Sequence, residues 1–209
     1  MSFSNVHFIL FKPQLAENIG ACARALKNFN FSKLKIVSPK ISFPNEKVFA
    51  TSVGAKDIIN ASKVYSNFED AIKNTNCVIA TSSRIRKKNY KHLSLNELRK
   101  INFKQKIAIV FGPEASGLTN NELSYANYVI KLPTNNKFQS LNLSHCVILL
   151  CYEIFKILNK KIKKFDSRYK NKQVNKKELN KFVNFLVNSL DQIGFLQPDH
   201  KRKSMIENI

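Results

Sequence analysis

The sequence predicts an α/β fold, a parallel sheet with helices on both faces, and three observations carry that reading. Short runs rich in β-branched and aromatic residues recur between residues 6 and 132. They are mostly apolar rather than alternating, as strands buried on both faces are. Segments of helical periodicity separate them, and such alternation argues for a parallel sheet. The expected strands are Val6–Phe11, Leu34–Val37, Cys77–Ala80, Ile107–Phe111 and Tyr128–Leu132.

The helices expected between them cover residues 18–29, 46–60, 68–74, 94–101 and 119–126. Asn18 is placed to cap the first. Ser94-Leu95-Asn96-Glu97 reads as a capping box, and Thr119 with Glu122 repeats it. A long helix from about Leu141 to Lys164 follows from Leu143, Val147, Leu150, Ile154 and Ile157 along one face. The Lys/Asn-rich stretch 159–177 is polar and reads as a linker. A second amphipathic helix, 178–193, carries Leu179, Phe182, Val183, Leu186, Leu190 and Ile193 as a packing face, and Gly194 stops it. The expected organisation is a domain over 1–158, a basic linker over 159–177 and a helical C-terminal extension over 178–209.

A chain of 209 residues with 44% hydrophobic content and 16 Phe can build one packed domain and an appendage. Its net charge of +21 points to a polyanion, because a cationic surface gains affinity by releasing phosphate counterions. Lys outnumbers Arg 29 to 6 and Asn occurs 25 times, so biased codon usage would raise the charge as well. Two clusters are harder to ascribe to bias: five cations in residues 84–91, and eleven in 156–181 against Asp166 and Glu178. Each is either a nucleic-acid contact or a solvated face. Cys22, Cys77, Cys146 and Cys151 form no CxxC pair and sit in apolar contexts, which reads as buried core in a reducing compartment. No apolar stretch suits a signal peptide or a bilayer span, so the expected location is cytoplasmic, with no membrane partner.

Three separated segments hold the chemistry: Asn18-Ile19-Gly20-Ala21-Cys22-Ala23-Arg24, Phe111-Gly112-Pro113-Glu114-Ala115-Ser116-Gly117-Leu118, and Ser140-Leu141-Asn142-Leu143-Ser144. On the first helix Ile19, Ala23 and Leu26 share one face, while Gly20, Arg24 and Lys27 share another. Glycine costs a helix interior about 1 kcal/mol relative to alanine, so Gly20 asks for a reason. Either it opens a gap beside the guanidinium, where a backbone or ribose could approach closely, or it lets another helix pack closely. Gly112 and Gly117 permit a tight turn near a ligand, and Glu114 between them could orient RNA, orient the first helix, or do neither. Ser140 and Asn142 suit the start of the long helix, whose free N–H groups also suit a ligand. A GxGxxG fingerprint and a Walker A loop are both missing, which argues against a dinucleotide fold or an NTPase. His7, His92, His145 and His200 have no ligand spacing, so no metal is expected.

In this order and at these separations, the three segments resemble the motifs of the SPOUT superfamily of RNA 2′-O-methyltransferases, within its TrmH-like class. The closest likeness is to the bacterial TrmJ-type tRNA enzymes, over about residues 6–155 and again 179–206. The resemblance implies a SPOUT-type parallel sheet with a deep trefoil knot in the C-terminal part of the domain. It implies S-adenosyl-L-methionine (AdoMet) as methyl donor, no metal, and a homodimer. The implied substrate is tRNA, at the ribose of cytidine or uridine 32. It assigns the AdoMet pocket to Phe111, Gly112, Leu132, Gln139, Ser140 and Leu141, with Thr81, Ser82 and Ser83 as a third wall. Arg24 becomes the catalytic arginine, with Asn18 and Asn142 beside it. RNA contacts fall to Arg24, Lys27, Arg84, Arg86, Lys87, Lys88 and Glu114. Because arginine stays protonated far above neutral pH, phosphate grip and alkoxide stabilisation suit Arg24 better than a base role. Pro113-Glu114-Ala115 departs from the Arg-Glu-Arg/Thr of many TrmJ-type members, and the chain stops at Ile209, in what resembles the first turns of a further helix. Another tRNA site, an rRNA substrate, a non-catalytic RNA-binding protein and a ribosome-associated basic protein remain as alternatives.

Overall fold

In the computed structural model, which describes residues 3–83, 90–159 and 174–208, all strands pair in parallel. They are β1 (Val6–Phe11), β2 (Lys33–Val37), β3 (Lys63–Tyr65), β4 (Cys77–Thr81), β5 (His92–Leu93), β6 (Ile107–Phe111) and β7 (Tyr128–Ile130). The sheet order is β3-β2-β1-β6-β4-β7-β5. The central strands are the most apolar: every residue of β6 is buried, as are five of the six in β1. Pleating sends Phe8 and Leu10 to one face and Ile9 and Phe11 to the other.

Each face has its own helical layer. On the first lie α1 (Ala16–Asn28), α2 (Glu46–Ser52), α3 (Lys56–Asn60) and α6 (Leu143–Leu158), which contribute Ile19, Leu26, Val48, Ile58, Val147 and Leu150 to one core. Fully burying a side chain such as Ile19 or Leu26 contributes roughly 1.5–3 kcal/mol. On the second lie α4 (Phe68–Ile72) and α5 (Asn120–Ser124), with Phe68, Ala71 and Leu123 against Ile9, Val78 and Val110. Burial raises the thiol pKa of Cys22, Cys77, Cys146 and Cys151, that of Cys146 to about 11.

Several boundaries differ from the sequence reading, each for a physical reason. The helix expected over 46–60 is two helices, broken where Gly54 takes φ +72°. Residues 95–100 wind as a 3₁₀ turn, although Glu97 does accept from the Ser94 N–H at 3.1 Å. Strand β7 ends at Ile130 rather than Leu132 because its partner β4 ends opposite it, at Thr81. The helix expected from Leu141 begins after Asn142, whose side chain accepts from the Ser144 N–H at 2.8 Å. Residues 160–164, its expected end, lie outside the described residues, as does most of the 159–177 stretch.

The chain forms two compact units, Met1–Ile162 and Lys163–Ile209. The second holds α7 (Lys176–Gln192) and α8 (Asp199–Glu207). Gly194 at φ +73° ends α7, and Arg202 pairs with Asp191 at 2.8 Å. No residue of α7 is buried, and Phe182 and Phe185 of its apolar face are 60% and 69% exposed. Among the described residues, no helix is long and apolar enough to cross a membrane, and no cluster of three or more His, Cys, Asp or Glu side chains could hold a metal ion.

Candidate active site

At the carboxyl-terminal edge of β6, β4 and β7 the loops leaving the sheet enclose a cavity of about 390 Å³. That is the size range of small-molecule sites, and the end of the sheet at which open α/β folds bind ligands. All nine residues that the family resemblance implies for the cofactor line it: Thr81, Ser82, Ser83, Phe111, Gly112, Leu132, Gln139, Ser140 and Leu141. Its walls are mixed, with Phe111, Leu118, Ile130 and Leu132 apolar and the hydroxyls of Thr81, Thr134 and Ser140 polar. The second-motif loop is shaped by absent side chains. A Cβ on Gly112 would lie 2.4 Å from the Leu118 nitrogen. Gly117 takes φ +66°, and its N–H donates to the Pro113 carbonyl at 2.8 Å.

Thr134 was not among the sequence candidates. Its Oγ1 is buried with no hydrogen-bond partner among the described residues, although it lines the cavity. A buried hydroxyl without a partner costs about 1–3 kcal/mol, so this atom suits a polar ligand. The only signal in the sequence was its position directly after Leu132-Pro133.

Hydrogen bonds join the three motif segments in one line. Glu114 accepts at one oxygen from the Gln14 N–H (2.9 Å) and at the other from the Leu15 N–H (3.4 Å) and Asn18 Nδ2 (2.8 Å). Asn18 Oδ1 accepts from Asn142 Nδ2 at 3.0 Å. Asn142 Oδ1 in turn accepts from the N–H and hydroxyl of Ser144, at 2.8 and 2.7 Å. Gln14 returns a contact by accepting from the Ala115 N–H at 3.1 Å.

This line corrects the expected cap. Helix α1 starts at Ala16 after Leu15, whose side chain makes no capping bond, so Asn18 lies inside the helix and not at its head. A carboxylate about a hundred residues away takes the N-terminal position that an Asn or Ser usually fills, where the helix dipole favours negative charge. Asn18 is buried and both ends of its amide are engaged, so it positions neighbouring groups rather than contacting a substrate. Glu114 has its carboxylate turned onto the first helix, the second of the roles open to it in the sequence.

Gly20 also has a definite explanation. A Cβ there would fall 2.1 Å from Thr51 Oγ1 and 2.4 Å from the Val48 carbonyl, so the missing side chain admits α2 and does not open a gap for a ribose. Arg24 and Lys27 project from α1 as exposed cations with different surroundings. Lys27 Nζ bonds Asp57 Oδ1 and the Gly54 carbonyl, both at 2.8 Å, and this contact holds the Asp57 carboxyl below its ordinary range. Arg24 makes no side-chain hydrogen bond or ion pair among the described residues, leaving its guanidinium available. Arg84, Arg86, Lys87 and Lys88 lie outside the described residues.

Comparison with known proteins identifies the family. Residues 5–152 match the SpoU rRNA Methylase family. A tRNA (cytidine/uridine/adenosine-2′-O-)-methyltransferase TrmJ from Pseudomonas aeruginosa is 33% identical over 96% of this chain and 82% of its own. TrmJ from Z. mobilis ZM4 superposes with a TM-score of 0.68 at 29% identity, covering 97% of this chain and 86% of that one. The SpoU methyltransferase AviRb from Streptomyces viridochromogenes, solved with AdoMet, shares the fold at a TM-score of 0.58 and 17% identity, over 73% of this chain and 58% of its own. The chain therefore belongs to the SpoU methylase family, and it is a methyltransferase.

Proposed function

We propose that the protein transfers a methyl group from AdoMet to a ribose 2′-hydroxyl of tRNA, at cytidine or uridine 32 of the anticodon loop. The observation that carries the reading is the hydrogen-bonded line Glu114–Asn18–Asn142–Ser144, which ties three segments distant in sequence to the wall of one cavity. The partnerless Thr134 hydroxyl and the close-packed Gly112 turn fit a nucleoside-bearing ligand there. Thr81, Ser82, Ser83, Phe111, Gly112, Leu132, Gln139, Ser140 and Leu141 would hold the donor. Bound AdoMet supplies an activated methyl group on a sulfonium, a reaction that asks no metal of the protein.

The residues of the chain divide the remaining work. Arg24 grips the ribose-phosphate and stabilises charge developing on the 2′-oxygen, as a preorganised cation does without reorganising. Asn18 fixes the first helix between Glu114 and Asn142, so that Arg24 is held relative to the cavity. Lys27, Arg84, Arg86, Lys87 and Lys88 add contacts to the RNA backbone. The domain over 1–158 carries the chemistry, in the knotted form that the family resemblance implies. Residues 159–177 link it to the helical extension 178–209. The protein works in the cytoplasm as a homodimer, and the exposed Ile148, Leu149 and Tyr152 of α6 supply apolar surface for a second copy.

The test is to incubate the protein with labelled AdoMet and a pool of unmodified tRNA transcripts and to map the 2′-O-methyl nucleotides formed. Methylation at nucleotide 32 is the expected product. Methylation at another position keeps the reaction and changes the substrate, and AdoMet binding with no transfer to any RNA contradicts the enzymatic reading.

A further inference from the structure

Because every strand is parallel, the segments that enter the sheet lie side by side along its amino-terminal edge. They bring Lys63 into β3, Lys33 into β2, Lys104 and Lys106 into β6, and Lys91 into β5. No Asp or Glu occurs in those segments, residues 3–7, 29–33, 60–63, 74–77, 90–92, 101–107 and 125–128. Ion pairs among the described residues occupy other cations: Lys27, Lys47, Lys73, Lys100, Lys156 and Arg202.

The strand register sets basic residues opposite one another. Lys33 stands opposite His7, and Lys35 opposite Lys63. Like charges in directly opposed positions destabilise a sheet. Lys35 is buried, donates to the Ala71 carbonyl and sits 5.6 Å from the centre of the Tyr65 ring. Its pKa is lowered by burial and by Lys63 and Lys106. His7 is held down to about 4, first by burial, then by Lys35, and further by Lys33 and Lys106. Its Nδ1 is buried without a partner among the described residues. Next to Lys106 a polar groove of about 530 Å³ runs past Asn76, Tyr90, Lys91, Gln105, Asn127 and Tyr128.

We propose that this edge is a second RNA-binding surface, on which Lys33, Lys63, Lys104 and Lys106 take backbone phosphates of the same RNA whose ribose is methylated at the opposite edge. The inference rests on the RNA substrate proposed above. The six residues of β1 set the two edges about 20 Å apart. A free nucleotide cannot bridge that distance, whereas a folded RNA with phosphates along its length can. Counterion release then makes the contact sequence-independent and salt-sensitive.

The full-length variant K33Q/K63Q/K106Q is compared with K47Q/K100Q/R202Q, which removes the same number of charges from residues already in ion pairs. All three positions in the first variant are exposed, so the core is untouched. KM and kcat for unmodified tRNA are measured across a salt series, together with AdoMet affinity. The edge variant is expected to raise KM about tenfold and to lower the log–log salt slope by about 2–3. Its kcat and AdoMet affinity should match the unaltered protein, and the control variant should stay close to it throughout. An unchanged slope, or an equal loss in the control, overturns the proposal. So does loss of retention on vesicles of anionic phospholipid with the RNA slope intact, which would make the edge a membrane surface. Should the unaltered protein methylate no tRNA, the functional reading fails, and filter retention of the same transcripts by the two variants still tests the edge.

Discussion

At the carboxyl-terminal edge of the sheet, polar side chains spend their hydrogen-bonding groups on one another, from Glu114 through Asn18 and Asn142 to Ser144. At the amino-terminal edge, Lys63 lies opposite Lys35, and the described segments entering the sheet contain no Asp or Glu. The contrast reflects two ways of recognising a ligand. A reacting centre gains from being rigid before substrate arrives, and here the positioning groups are satisfied internally while the buried Thr134 hydroxyl has no partner among the described residues. A surface for phosphates gains from remaining uncompensated, because the ligand itself brings the neutralising charge. Around the second edge, burial first and neighbouring lysines next lower the pKa of Lys35 and His7.

The comparison can be broken most forcefully at Arg24. Arg24→Ala is expected to slow single-turnover methyl transfer about 10²–10³-fold, the usual effect of removing one preorganised stabiliser of developing charge. AdoMet affinity should stay unchanged, and a variant that transfers at the normal rate would remove Arg24 from the mechanism. Next in size is Glu114→Ala, which takes the acceptor from the Gln14 and Leu15 N–H groups and from Asn18. It should destabilise the protein to urea by about 1–3 kcal/mol, with Glu114→Gln intermediate. Wild-type stability in the alanine variant would mean that α1 does not depend on the carboxylate.

The amino-terminal edge makes a pH prediction. His7 titrates near 4 in the folded protein against an ordinary value of 6.5, so between these values the unfolded chain binds the extra proton. Its contribution to stability is complete above pH 6.5 and is lost as pH falls toward 4. His7→Gln should flatten the stability profile in that window, and an unaltered slope would show that the imidazole is not the group responsible. The smallest effect is expected at Lys27, whose bond to Asp57 is an exposed ion pair. Lys27→Ala should change stability by less than about 1 kcal/mol. If its methyl transfer fell as far as that of Arg24→Ala, the catalytic cation would have to be reassigned.

Much of the sheet was legible in the sequence because its central strands are apolar on both sides, as in Ile107–Phe111. The edge strands were not. In β3, Lys63 and Val64 are exposed, and β5 has only two residues, so neither leaves a run to recognise. At the site, the motif segments could be picked out, and the residues that the resemblance gathered line one cavity, but their linkage could not be read. Asn18 looked like a cap because capping is a local rule, and nothing local reveals that Glu114 supplies the acceptor. Gly20 was ambiguous for the same reason until α2 came to lie against it. The basic clusters at 84–91 and 156–181 were visible because they are contiguous. The lysines at 33, 63, 91, 104 and 106 are scattered, and only parallel topology gathers them.

The most direct test of the division between the edges is a crossed measurement of AdoMet and tRNA affinity on two variants, Thr134→Val in the cavity and K33Q/K63Q/K106Q at the opposite edge. The account predicts that Thr134→Val weakens AdoMet and leaves tRNA unchanged, whereas the lysine variant weakens tRNA and leaves AdoMet unchanged. Two variants that lower both affinities together, or neither, would contradict it.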